Sequence, residues 1–153
     1  LNEYAPLGIE AAVTNTATVS GTGITPVTAA ETVNAEAAPN LAITKSVSPV
    51  PVTENGTLTY TFRIQNYGSV AATNTTGVVI TDTFAPVLNN LTAALNGTAW
   101  TAATDYTYNE TTGTFSSTAG AITVPAATYT QDSTTGAWVV TRGESTLVIT
   151  GTV

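Results

Sequence analysis

Three residues have types and positions that could do chemistry together: a lysine, an aspartate and an asparagine, each interrupting an otherwise apolar alternation. In Leu41-Ala42-Ile43-Thr44-Lys45-Ser46-Val47, the residues Leu41, Ile43, Lys45 and Val47 share one side of an extended chain, and Lys45 is the only lysine in the sequence. In Val78-Val79-Ile80-Thr81-Asp82-Thr83-Phe84 the corresponding side is Val78, Ile80, Asp82 and Phe84. In Ala11-Ala12-Val13-Thr14-Asn15-Thr16-Ala17-Thr18-Val19 it is Ala11, Val13, Asn15, Ala17 and Val19. Apolar flanks predict that all three sides are buried, and a buried lysine needs a partner.

An amine, a carboxylic acid and a carboxamide are the set from which a Lys–Asn isopeptide bond forms spontaneously. Burial disfavours both charges, leaving a neutral lysine amine as nucleophile and a protonated acid as hydrogen-bond donor. Lys45 would attack the Asn15 side-chain carbonyl, Asp82 would polarise that carbonyl and shuttle protons, and ammonia would leave. Such a reaction runs once per bond without turnover, so no enzyme is expected. The same pattern also fits an ordinary Lys45–Asp82 salt bridge capped by Asn15, or a Lys45 that reaches out to the rim.

The elements that must hold these residues are strands. The chain has 153 residues, enough for one domain with a core, and is 42% hydrophobic but only 8% charged. It is rich in Thr, Val and Tyr, with no long helical periodicity. Residues 57–66 alternate cleanly, with Leu58, Tyr60, Phe62 and Ile64 on one side and Thr and Arg63 on the other. Turn signals at Gly21-Thr22-Gly23, Glu54-Asn55-Gly56, Asn66-Tyr67-Gly68-Ser69, Asn96-Gly97, Thr111-Thr112-Gly113 and Thr134-Thr135-Gly136 divide the chain into short strands and hairpins. Pro26 marks residues 24–33 as an edge strand. The expected fold is all-β, a sandwich.

Composition excludes several classes. A net charge of −7 with only three cationic residues leaves no basic patch, so no nucleic acid is expected as a partner. With no His and no Cys there is no disulfide framework, no Ser-His-Asp or Cys-His nucleophile, and no ordinary transition-metal site. The carboxylates lack a strong calcium-loop pattern, and no cofactor is expected. No apolar run approaches the ~20 residues of a membrane helix, so no membrane insertion is expected. The absence of Met predicts that Leu1 is a processed end, with a secretion signal lost. Trp100, Trp138 and Tyr129 are the candidates for a sugar-stacking platform, though such aromatics are more often core. Asn55, Asn74, Asn90, Asn96 and Asn109 begin Asn-X-Thr sequons.

The run Leu41-Ala-Ile-Thr-Lys-Ser-Val-Ser-Pro, then Gly56-Thr-Leu-Thr-Tyr-Thr-Phe, Ile64-Gln-Asn-Tyr-Gly and Val79-Ile-Thr-Asp-Thr-Phe resembles the "conserved repeat domain" family (domain of unknown function eleven). The similarity is specific over residues 41–86 and looser to 153. The resemblance implies an immunoglobulin-like sandwich of the kind found in large bacterial and archaeal surface proteins, here with an N-terminal strand extension. In that family a module opens with the lysine strand and closes with an Asn-Thr-Ala strand. Here Asn15-Thr16-Ala17 precedes the lysine strand, as if one repeat had been cut out of phase.

The expected organisation is a donor-strand segment over residues 1–33, a linker over 34–40 and an incomplete sandwich over 41–153. Three readings of the N-terminal segment are open: it fills a neighbouring copy, it folds back in cis, or it is the remnant of a preceding domain. Return in cis along a parallel strand would cover ~25 Å, and a seven-residue linker spans ~23–25 Å at full stretch, so passage to the next copy is favoured. On that reading residues 41–153 alone are unstable or aggregation-prone. The functional expectation is a secreted structural subunit of a pilus-like surface filament. Copies of itself are its partners, no small-molecule ligand is expected, and Lys45–Asn15 bonds lock the contacts. The alternative is an adhesive or glycan-binding module of a multidomain cell-surface protein.

Overall fold

A computed structural model describes residues 12–34 and 38–153. Residues 1–11 of the expected donor-strand segment and the middle of the expected linker lie outside the described residues. The fold is an all-β sandwich. The chain runs through β1 (Ala12–Gly21), β2 (Ile24–Asn34), β3 (Leu41–Ser48), β4 (Thr57–Asn66), β5 (Thr81–Thr83), β6 (Asn89–Leu95), β7 (Thr98–Ala99), β8 (Tyr106–Asn109), β9 (Thr114–Ser117), β10 (Thr128–Gln131), β11 (Trp138–Thr141) and β12 (Gly143–Thr152).

A five-stranded sheet in the order β3-β4-β12-β6-β7 faces a three-stranded sheet in the order β5-β9-β8. All pairings are antiparallel. The alternation over residues 57–66 is the reason β4 lies near the middle of its sheet: Leu58, Tyr60, Phe62 and Ile64 are all buried. They meet Leu147 and Ile149 of β12, Ala93 and Leu95 of β6, Tyr106 of β8 and Phe115 of β9. Phe84, just after β5, is wedged between Tyr60 at 4.7 Å and Phe115 at 6.3 Å between ring centroids. Full burial of such a side chain contributes about 1.5–3 kcal/mol. Among the described residues, none of β1 or β2 belongs to this core.

Among the described residues, three inward strand positions are polar: Asn66 of β4, Ser117 of β9 and Ser145 of β12. Asn66 ends the apolar side of β4 fully buried, and both ends of its amide are occupied. Its Oδ1 accepts from the backbone N–H of Asn40 (3.0 Å) and Gly68 (2.9 Å), and its Nδ2 donates to the carbonyls of Val70 (2.7 Å) and Pro125 (3.0 Å). Tyr67 N–H donates to the Asn40 carbonyl as well. A Cβ at Gly68 would stand 2.1 Å from the Ala38 carbonyl oxygen, so only glycine lets the chain approach here. The chain is thereby pinned at Asn40, where it enters β3.

Two hairpins stand as sheets of their own, β1–β2 and β10–β11. The turn signals fall where the sequence places them: Asn96 (φ 50°) and Gly97 (φ 81°) both lie in the left-handed region between β6 and β7, the pair a two-residue hairpin loop requires. The strand expected over residues 78–84 is shorter. Its ladder covers only β5, and residues 78–80 run extended beside β9, held by Ile80 N–H to Ser117 Oγ and Ser117 N–H to the Ile80 carbonyl.

Candidate functional site

β3 and β5 each pair on one side only, β3 with β4 and β5 with β9. These two free edges border the same side of the sandwich, because Lys45 of β3 reaches across it to Asp82 of β5. The Lys45 ammonium donates to Asp82 Oδ2. Asp82 Oδ1 accepts the Thr83 backbone N–H at 2.9 Å, which fixes the carboxylate plane. Three rings floor the amine, at 4.9 Å from Tyr60, 5.5 Å from Phe62 and 5.3 Å from Phe84 to the centroids. Each such contact is worth about 0.5–1 kcal/mol when exposed.

Lys45 and Asp82 are therefore brought together, but not in the buried setting that their flanks predict. The Lys45 side chain is 41% exposed and that of Asp82 19%. On the same face of β3, Ile43 (51%) and Val47 are exposed and only Leu41 is partly covered. The reason is topological: the face belongs to an edge strand, and no element among the described residues lies over it. Half-solvated ion pairs contribute about 0–1 kcal/mol, so this pair does little for the stability of the chain by itself.

Beside the pair runs an apolar groove of about 200 Å³, lined by β3 and β4 residues on one side (Leu41, Ile43, Ile64) and by Val78, Val79 and Ile80 on the other. Groove and unpaired edges together are a template for another strand.

Asn15 lies elsewhere, on β1, exposed. Among the described residues no hydrogen bond joins it to Lys45 or Asp82. The register of the β1–β2 hairpin pairs Val13 with Val33, Asn15 with Glu31, Ala17 with Ala29 and Val19 with Val27, so these eight residues share one face. The other face carries Thr14, Thr16, Thr18, Thr28 and Thr32, with Thr14 and Thr32 hydroxyls hydrogen-bonded at 2.9 Å. The apolar face is uncovered: Val19 is 66% exposed, Val27 65% and Val33 71%.

Glu31 is the residue that sequence reasoning missed. It is the only charged group on either strand of the hairpin and sits directly across from Asn15. The signal was present, since Val27, Ala29, Glu31 and Val33 form an apolar alternation with one polar interruption, the same rule that selects Lys45, Asp82 and Asn15.

The remaining candidates are accounted for locally. Trp100 packs on the core near Tyr106, the Tyr129 hydroxyl donates to the Tyr67 carbonyl at 2.6 Å, and Trp138 lies half-buried on β11 opposite Gln131. Arg63 pairs with Glu144 at 2.6 Å, which raises the guanidinium and holds the Glu144 carboxyl below the usual carboxylate range. The Arg142 guanidinium stacks 4.6 Å from the Tyr67 ring centroid. Among the described residues no group of three acidic side chains is placed to hold a metal, and no helix is long and apolar enough to cross a membrane. No protein-family model, no curated protein and no solved structure matches this chain.

Proposed function

We propose that this chain is a structural subunit of an extracellular filament, in which the β1–β2 hairpin of one copy enters the groove between β3 and β5 of the next. The observation that carries this reading is that one chain exposes both halves of a single contact. The hairpin presents an uncovered apolar face with Asn15 at its middle, and the groove presents an uncovered apolar face with Lys45 and Asp82 at its middle. Two strands added at β5 bring the three-stranded sheet to five, equal to the sheet it faces. Such strand addition uses the free edges of β3 and β5 and covers Ile43, Val47 and Val79. A contact between two different patches of the same chain is heterologous and grows without closing unless its rotation closes a ring. The resemblance of residues 41–86 to the conserved repeat domain belongs to the same proposal, as do secretion and a surface location.

Docking would also remove water from the Lys45–Asp82 pair, which favours the neutral amine and the neutral acid over the two charges. The Lys45 ammonium would give one proton to Asp82, the freed amine would attack Cγ of the partner's Asn15, and Nδ2 would leave as ammonia with the second Nζ proton. Burial alone, at ~25 cal/mol per Å² of apolar area, would hold an uncrosslinked fibre, so assembly and crosslink are separable.

Negative-stain microscopy of the purified protein, followed by boiling in detergent and intact-mass measurement, tests both. Filaments that yield ladders, each bond lighter by one ammonia, are expected. Lys45→Ala and Asn15→Ala should abolish the ladder, and Asp82→Ala should leave fibres that dissolve to monomer. A concentration-independent monomer of full mass that binds glycan saturably would replace this reading with the adhesive one.

A further inference from the structure

The geometry points to Glu31 as a second acid of the crosslinking site, the proton donor to the leaving nitrogen of Asn15, delivered to Lys45 and Asp82 by the same hairpin that delivers the asparagine. This rests on the assembly proposed above. It adds a chemical role that neither strand pattern nor ion pair assigns to Glu31.

The hairpin register carries the inference. Residues directly opposite on an antiparallel pair hold their Cβ atoms roughly 4.5–5.5 Å apart and project from the same face. Asn15 and Glu31 are such a pair. Any docking that presents the Asn15 carboxamide to Lys45 therefore presents the Glu31 carboxyl beside it. Glu31 has no ion-pair or hydrogen-bond partner among the described residues, while Asp82 is already committed through both oxygens, to Lys45 and to Thr83 N–H. Three groups that can titrate would then surround Glu31: Lys45 from β3, Asp82 from β5 and Tyr60 from β4, whose ring already lies under the amine. β1 and β2 carry no other titratable side chain.

A single ammonium cannot neutralise two carboxylates in a dry site, so the docked pair of acids keeps one proton. Asp82, bonded to the ammonium, is the ionised member and acts as base; Glu31, beside the carboxamide, keeps the proton and acts as acid. Asp82 takes one proton from Lys45 Nζ, and the freed amine forms the Nζ–Cγ bond. Glu31 gives its proton to Nδ2 as the Cγ–Nδ2 bond breaks, and ammonia departs. Glu31 then takes the second Nζ proton. The products are one amide, one ammonia and two uncharged carboxyl groups, so protons and charge balance without any co-reactant. The uncharged acids are also the form best tolerated once the site is covered.

The test uses the full chain and follows two readouts together, filament mass by sedimentation and ammonia loss by intact mass, over time and across pH. Glu31→Gln keeps size and hydrogen bonding but removes the proton. The expected result is filaments that form as in the wild type, crosslinking slowed about a hundredfold, the low end of what a positioned acid supplies, and loss of the rate decline that the wild type should show at high pH. Glu31→Asp should restore part of the rate and the pH dependence. Crosslinking of Glu31→Gln at the wild-type rate and pH profile overturns the assignment. So does a wild-type bond that costs one water and joins Lys45 to Glu31, because Glu31 would then be the acyl group rather than the acid. Wild-type protein that neither assembles nor loses ammonia instead fails the filament proposal itself, and the role of Glu31 falls with it.

Discussion

Lys45 and Asn66 illustrate two ways a polar residue can stand on an apolar strand face. Asn66 is a structural answer: it is buried and bonded at every atom that can bond, and it fixes Asn40 against the turn at Gly68. Asn66→Ala leaves the Val70 and Pro125 carbonyls and the Asn40 N–H without partners. The expected loss is about 2–4 kcal/mol, read from denaturant midpoints with an unchanged m-value. A loss under about 0.5 kcal/mol, the size of an ordinary surface substitution, would contradict the assigned role. Lys45 is the opposite case. Its amine is held by one carboxylate and three ring faces yet stays open to water, so the chain alone gains little from it. On the proposed assembly the amine would instead serve a partner, whose hairpin would bring the Asn15 carboxamide.

Among the elements, the strands and hairpins were legible because period-two alternation and Gly-containing turns are local signals. β4 and the β6–β7 and β8–β9 turns lie where the sequence puts them. The burial of β3 and β1 was not legible in the same way. An apolar alternation records which side is to be covered, not which molecule covers it, and here both faces stand open. The shortness of β5 was hidden for a related reason, since residues 78–80 hold their place through a Ser117 hydroxyl rather than a full ladder. Of the proposed site, Lys45, Asp82, Asn15 and Glu31 all interrupt an apolar alternation, but only the register of β1 on β2 sets Glu31 opposite Asn15. A second hairpin gives a separate check on turn chemistry. In β10–β11 the Asp132 carboxylate accepts the backbone N–H of Thr134 at 2.8 Å and of Thr135 at 2.7 Å, with the Thr135 bond the larger influence, and both hold its carboxyl below the usual range. A carboxyl lowered in the fold supports its turn fully above the ordinary aspartate range and loses that support as pH falls toward the folded value. The amide resonances of Thr134 and Thr135 should therefore titrate with a midpoint below that of a free aspartate. Asp132→Ala should abolish the titration and speed amide exchange in β10 and β11 alone. A midpoint at the free-aspartate value would remove the carboxylate from the account of this turn.

At the scale of the whole molecule, the division of labour between hairpin and sandwich decides what truncation does. The strand pattern alone points to a sandwich that is unstable without its N-terminal strands. Core membership argues otherwise: among the described residues every buried apolar side chain lies between Leu58 and Ile149, and none lies on β1 or β2. On the proposed assembly a subunit's own hairpin would serve its neighbour, so removing it would take nothing from the subunit's own core. The protein lacking residues 1–33 should thus unfold at nearly the same denaturant concentration as the full chain, yet form no filaments. Its groove between β3 and β5 stays vacant, and a synthetic peptide covering residues 8–34 should fill it in trans. Binding should raise the unfolding midpoint as peptide is added, by mass action on the folded state. Amides of β3 and of residues 78–83 should gain protection while those of β8 and β11 do not change. With Lys45 intact, the complex should become covalent and lighter by one ammonia than its two parts. With Lys45→Ala it should stay reversible. A truncated protein that unfolds several kcal/mol more easily would place the hairpin in its own core. A peptide that protects some other edge would move the contact away from β3 and β5.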